Sequence, residues 1–148
     1  MIADYEEHKT EDMFAPGLYA LSLQHKHLPE MMAVTGLTRA PVFCPFVDDY
    51  YRGMATTIAL HNDILLMPMT ADGIRRQLAT YYDGQRYVTV APELGNGTLY
   101  CNWGGGTNDL LITVSGNDSQ TLITARFDNL GKGASGAAVQ NMEIMLNL

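Results

Sequence analysis

The apolar positions of this chain change period from segment to segment, and those changes mark its elements. Residues 17–23 alternate, with Leu18, Ala20 and Ser22 on one face and Tyr19, Leu21 and Leu23 on the other, which predicts a strand. Pro29 at a first helical position starts a short helix that stops near Gly36. Residues 41–47 and 53–60 read as two strands joined by the polar, aromatic Asp48-Asp49-Tyr50-Tyr51. Thr70 caps a helix that runs to about Tyr82, with Ile74, Leu78 and Tyr81 or Tyr82 inward and Gly84 as its stop. A short strand over 87–91 leads into a glycine-rich loop over 96–108, too long for an ordinary connection and therefore a functional or interface segment. Residues 110–114 and 121–127 form a hairpin across Gly116-Asn117-Asp118-Ser119. A last helix over 134–146 repeats Ala138, Met142 and Met145 at helical spacing, with Val139 and Leu146 alongside, and requires a covered face. The acidic opening up to Pro16 has no clear period and reads as a frayed beginning in mid-fold.

Strands dominate and helices are interspersed, so the expected class is α+β. The expected architecture is a mixed, largely antiparallel sheet of about six strands with helices on one face, the last helix packed through Val139, Met142 and Met145. With 148 residues and 47% apolar content the chain is the size of one ordinary domain with a full core. Nine basic against sixteen acidic residues give a net charge of -7. The basic residues are scattered apart from Arg75-Arg76, which argues against nucleic acid as a partner. There is no run of about 18 apolar residues and no basic, apolar signal segment, so a soluble cytoplasmic protein without a membrane partner is expected. Cys44 and Cys101 form neither a C-x-x-C pair nor a framework and read as free thiols.

The chemistry concentrates in three phrases. The first, from Asp128 to Met142, is a β-like run ending in a glycine turn that opens a helix. Gly131, Gly133 and Gly136 allow close backbone approach, and the free N–H groups of the first helical turn favour an oxyanion or carbonyl there. The spacing satisfies G-x-G-x-x-G, but a dinucleotide fingerprint needs a βαβ unit and an acidic residue about 20 positions on, before which these residues stop. Lys132 sits between two of the glycines, where a cation opposes the helix dipole; that suggests a partner anion, although a solvent-pointing lysine also fits. The second phrase is His25-Lys26-His27-Leu28-Pro29-Glu30-Met31. Two histidines two apart on an extended backbone face one side, which suits proton transfer, metal binding or a structural surface pair. A metal site needs a third ligand, and His8 and His61 show no spacing that supplies one, so no metal is expected. The third is Phe43-Cys44-Pro45 followed by Arg52-Gly53-Met54-Ala55-Thr56.

Taken together and in this order, the three phrases resemble the N-acetyl-gamma-glutamyl-phosphate reductases, the acyl-phosphate-reducing enzymes of arginine biosynthesis. His25 to Met31 is similar to the family's H-R-H-x-P-E-I, Phe43 to Thr56 to F-T-P followed by R-G-I-x-x-T, and the glycine phrase to its C-terminal signature. The resemblance implies the glyceraldehyde-3-phosphate-dehydrogenase-like C-terminal domain, NADP as cofactor and a homodimer. It also implies roles: His27 and His25 as the acid-base candidates, with His27 slightly favoured, and Arg52, Tyr19, Glu30 and Lys132 as substrate-binding residues. Gly131, Gly133, Ala134 and Gly136 would face the cofactor. Tyr19 also fits a core position and Glu30 a first-turn acid. Family members begin with a nucleotide-binding domain and a segment holding the catalytic cysteine. Neither pattern is found in these residues, so the expectation is one substrate-binding and dimerisation domain over 1–148, truncated on its N-terminal side and inactive alone.

Many relatives have Phe-Thr-Pro-His where this chain has Phe43-Cys44-Pro45-Phe46, which marks a divergent subgroup. Cys44 replaces a threonine in a strand and reads as a buried thiol rather than the nucleophile. Two other readings stand beside the reductase half: a non-catalytic dimerisation or ligand-binding module of the same fold, and a related semialdehyde dehydrogenase domain, which the H-K-H-x-P-E phrase disfavours. If the reductase reading holds, His25, His27 and Arg52 converge with the glycine turn on one cleft.

Overall fold

The structure is a computed structural model and describes residues 2–148. Its contacts gather into two compact units, Met1–Tyr50 and Tyr51–Leu148, an internal division on which the size-based expectation of one domain is silent.

In the first unit the acidic opening is helical: α1 spans Ile2–Glu7 and a 3-10 turn spans Glu11–Phe14. Asp4 in the first turn of α1 complements the dipole, a local gain that periodicity does not register. The strand expected over 17–23 is confined to β1, Gly17–Leu18, paired antiparallel with β2, Phe46–Val47. The Tyr19 N–H still donates to the Pro45 carbonyl at 3.1 Å, but Pro45 has no N–H to return and the ladder stops. Ala20 and Leu23 then take left-handed φ of 55° and 56° and turn the chain, which corrects the long alternating strand. For the same reason residues 41–45, bounded by Pro41 and Pro45, form no strand, and Cys44 is exposed rather than buried in one. The helix α2, His27–Thr35, starts two residues before Pro29. A proline is tolerated anywhere in the first turn because the N–H it lacks has no partner within the helix. Gly36 ends α2 at φ 71°.

The second unit is a four-stranded mixed sheet in the order β3-β6-β5-β4. β3 is Met54–His61, β4 Val88–Val90, β5 Leu110–Gly116 and β6 Gln120–Phe127; β4 runs parallel to β5 and the other pairs are antiparallel. The class is thus α+β, with the six strands of the described residues divided between two sheets instead of one. The β5–β6 hairpin closes as expected, because Asn117 Oδ1 accepts from the N–H groups of Ser119 and Gln120 and shapes the turn. Buried Asn62 locks that turn to the end of β3, donating to the Asn117 carbonyl and accepting from the Thr121 hydroxyl at 2.7 Å.

The helix α3, Ala71–Tyr81, covers one face of this sheet. Ala71, Ile112 and Val114 form its buried centre, with Leu78, Tyr82, Val88, Val90, Leu110 and Ile123 around them, while Tyr81 points outward. Its N-cap is as expected: Thr70 Oγ1 accepts from the Gly73 N–H at 3.1 Å. Thr70→Ala should therefore cost about 1 kcal/mol and lower Tm by roughly 3 °C, read by thermal melting. An unchanged Tm would show that the cap contributes nothing.

The last helix, α4, is Gly136–Leu146, entered through a π turn over Gly131–Ser135. Its expected packing residues are not covered. Val139, Met142 and Met145 are 46%, 50% and 81% exposed. The apolar side chains of α4 are spread around the helix rather than gathered in one stripe, so no single face directs it onto the sheet.

Candidate functional site

Each unit carries part of the predicted chemistry. In the first, the Tyr19, His25, His27 and Phe43 rings are neighbours. His25 lies edge-on to His27 at 4.7 Å between centroids, 5.0 Å from Phe43 and 6.0 Å from Tyr19. The two imidazoles do share one place, though through the start of a helix rather than an extended strand. The His27 backbone N–H donates to His25 Nδ1 at 3.2 Å and the Leu28 N–H to the His25 carbonyl at 3.0 Å, so His25 accepts two donors at the start of α2. Glu30 is exposed on the first turn of α2, where its charge favours the helix N-terminus.

In the second unit the centre is Asp128, a residue singled out for no role from the sequence. Its carboxylate is buried and accepts from four donors. Oδ1 takes the N–H groups of Leu130 at 2.8 Å and Gly131 at 3.1 Å; Oδ2 takes the Gly106 N–H at 2.7 Å and Arg52 Nη1 at 3.2 Å. Three segments far apart in sequence are tied by one side chain. These donors, the Gly106 N–H foremost and then those of Leu130 and Gly131 with the charge of Arg52, hold its pKa below the usual carboxylate value against the opposing effect of burial. Asp128 directly before Asn-Leu-Gly is a signature of a side chain that caps its own turn, and that signal was available in the sequence.

Arg52 stands on the other side of this pair. Tyr51 lies against its guanidinium at 4.7 Å from the ring centroid, and Tyr51 first, then the charge of Asp128, raise its pKa above the ordinary value while desolvation opposes them. A Cβ on Gly105 would come within 3.2 Å of Arg52 Cδ, so the glycine strip forms the wall beside the arginine stem. Of the Arg52 side chain, 36% remains exposed. An arginine held at one edge and open elsewhere can bind a carboxylate or phosphate.

The glycine turn is largely satisfied from within. The N–H of Gly131 goes to Asp128, and the Gly133 N–H donates to the Asp128 carbonyl at 2.8 Å. Gly136 is buried where a Cβ would meet Asn108 Oδ1 at 2.0 Å. Gly131 lies against the Thr107 carbonyl, so the missing side chains at 131 and 136 serve internal packing. Gly133 and Ala134 are exposed. Lys132 is 8% exposed and points inward: Nζ donates to Gln140 Oε1 and sits 5.5 Å from the centroid of the Tyr87 ring. Burial lowers its pKa, opposed by the charge of Asp109. The dipole conflict is thus met by partners within the unit.

Among the described residues no group of three or more His, Cys, Asp or Glu is arranged to hold a metal ion, and no helix is long and apolar enough to cross a membrane.

Comparison with known proteins finds relatives that match most of this chain. An N-acetyl-gamma-glutamyl-phosphate reductase 2 of Nostoc sp. is 44% identical over 140 residues, covering 89% of this chain and 44% of the relative. The reductase of Sinorhizobium medicae is 42% identical over 154 residues, covering 99% and 50%. A reductase 2 of Pseudomonas putida is 42% identical over 134 residues, covering 87% and 43%. The chain spans about half the length of the curated relatives it matches. The family model for the semialdehyde dehydrogenase dimerisation domain matches residues 3–129, most of both units, and the chain belongs to that family.

Proposed function

We propose that this chain is the substrate-binding, acid-base and dimerisation half of an NADP-dependent N-acetyl-gamma-glutamyl-phosphate reductase. That enzyme converts N-acetyl-glutamyl phosphate to N-acetyl-glutamate semialdehyde in arginine biosynthesis, in the cytoplasm. The observation that carries the reading is 42% identity to such a reductase across 99% of the chain. The mixed sheet with a helix on one face is compatible with a glyceraldehyde-3-phosphate-dehydrogenase-like C-terminal domain, and the description of the matched family supports a homodimer.

The reading divides the labour. NADP binding and the nucleophilic cysteine fall to residues outside these 148. When bound, the cofactor would supply the hydride that reduces the acyl group after it has passed to that cysteine as a thioester with release of phosphate. In this chain only Gly133 and Ala134 of the proposed cofactor-facing residues are exposed, and the donors of Leu130 and Gly131 are engaged by Asp128, so the turn offers contact rather than a phosphate cradle. Arg52 holds an oxyanion group of the substrate, and Tyr19, Glu30 and Lys132 are the further substrate-binding candidates. His27 moves the proton, and His25, whose Nδ1 is taken by the helix start, orients it.

The test is a chimaera in which this chain replaces the corresponding half of the Nostoc reductase. NADPH-dependent reduction of the acyl phosphate is expected to return. His27→Asn should lower turnover by about 100-fold, and Arg52→Ala should chiefly raise KM. A dimeric chimaera with no turnover would favour a non-catalytic dimerisation or ligand-binding module instead. Reduction by the isolated chain would overturn the division of labour, and a monomer by sedimentation at high concentration would remove the homodimer.

A further inference from the structure

The geometry points to Asp128 as the positioning residue of an oxyanion site on Arg52: it docks one edge of the guanidinium so that the remainder faces a carboxylate or phosphate. This rests on the anion-binding role proposed for Arg52. Asp128 does not reach solvent, and its Oδ2 engages Nη1 while also accepting from the Gly106 N–H, so it cannot follow the arginine if the arginine moves. Its Oδ1 is anchored by two N–H groups of the glycine turn. Tyr51 covers a face of the guanidinium, and Gly105 keeps the space beside the stem free of a side chain that would push it aside. Plane and edge are therefore both set before any ligand arrives. That preorganisation reduces what binding must order.

The proposal differs in sign from simple electrostatics. Asp128 is an anion beside the site, and removing its charge would by Coulomb attraction alone strengthen the hold on a second anion. If its role is to orient, removal weakens the hold instead. The test is a titration of the full 148-residue chain with inorganic phosphate, and separately with acetate, followed by the Arg52 Nε–H resonance. In the unsubstituted chain phosphate or acetate is expected to shift that resonance saturably, and Arg52→Lys should abolish binding by losing the planar fork. Asp128→Asn should weaken the affinity about tenfold, the scale of one lost orienting contact. Should that variant fail to fold, rotation of the guanidinium in the unsubstituted chain supplies the answer: slow for Arg52 supports the docking, and as fast as for exposed Arg76 overturns it. Equal or tighter binding by folded Asp128→Asn overturns the positioning role alone. No binding of either anion to the unsubstituted chain overturns it together with the anion-binding reading of Arg52.

Discussion

Gly53→Ala is expected to unfold the second unit or leave it barely stable. Gly53 sits at φ 124°, outside the range that side-chain-bearing residues adopt. A Cβ there would lie 2.3 Å from the Cys101 carbonyl oxygen, 2.6 Å from Asn102 Cα and 2.9 Å from the Cys101 carbonyl carbon. All three are backbone atoms, so no rotamer change relieves the overlap. Moving Gly53 instead would break its N–H bond to Asn129 Oδ1 at 2.8 Å and shift Arg52 from Asp128. Backbone strain of about 1–3 kcal/mol adds to overpacking of about 1–3 kcal/mol, and a loss near 4 kcal/mol is a large part of an ordinary domain's stability. Gly84→Ala is the control. Its φ is 75° but nothing lies within 4 Å of the added carbon, so only the left-handed penalty of about 1–2 kcal/mol applies. Urea unfolding of both variants decides the matter: if Gly53→Ala costs no more than Gly84→Ala, the close approach to residues 101–102 is not present in solution.

The second large effect concerns acid. Because the folded-state pKa of Asp128 lies below the ordinary 3.8, the unfolded chain takes up a proton more readily than the folded one as the pH falls. Its contribution to stability is complete above that ordinary value and is lost as the pH drops towards the depressed one. Protonation removes an acceptor from among four donors, so the Arg52 loop, the strip at Gly106 and the turn at Leu130 and Gly131 should loosen together. Trp103, the chain's one tryptophan, lies in the loop between these segments and is a natural fluorescence probe. The expected result is a steep fall in Tm below about pH 4 that flattens in Asp128→Asn, which starts from a lower Tm at neutral pH. Parallel pH profiles for the two proteins would assign the acid lability to other carboxylates.

Short-range physics made much of this fold legible. Thr70 and Gly84 bracket α3 because a hydroxyl cap and a left-handed glycine act within three or four residues, and the β5–β6 hairpin follows from a turn flanked by β-branched runs. The three chemical phrases were equally plain, since they are local strings. Local pattern alone is ambiguous elsewhere: alternation over 17–23 resembles a strand, yet a strand needs a partner with donors, and Pro45 has none to give. Likewise the helical spacing of Val139, Met142 and Met145 required a covered face without saying what covers it.

The roles of Asp128, Gly136 and Lys132 arise from contacts across tens of positions. Composition and spacing mark Arg52 as a candidate anion binder, but its partner lies 76 residues away and is brought to it only when β3 pairs with β6 along their whole length. The glycines of the final turn read as openings for a ligand. Folding places the Thr107 carbonyl and the Asn108 side chain against Gly131 and Gly136, so part of that space is taken by the chain itself. Lys132 reads as a free cation seeking an anion and instead lies inside against Tyr87 and Gln140. Propensity and periodicity are properties of neighbours along the chain, whereas the occupation of a gap or the partner of a charge depends on which strands meet, and that depends on every residue that holds the sheet together.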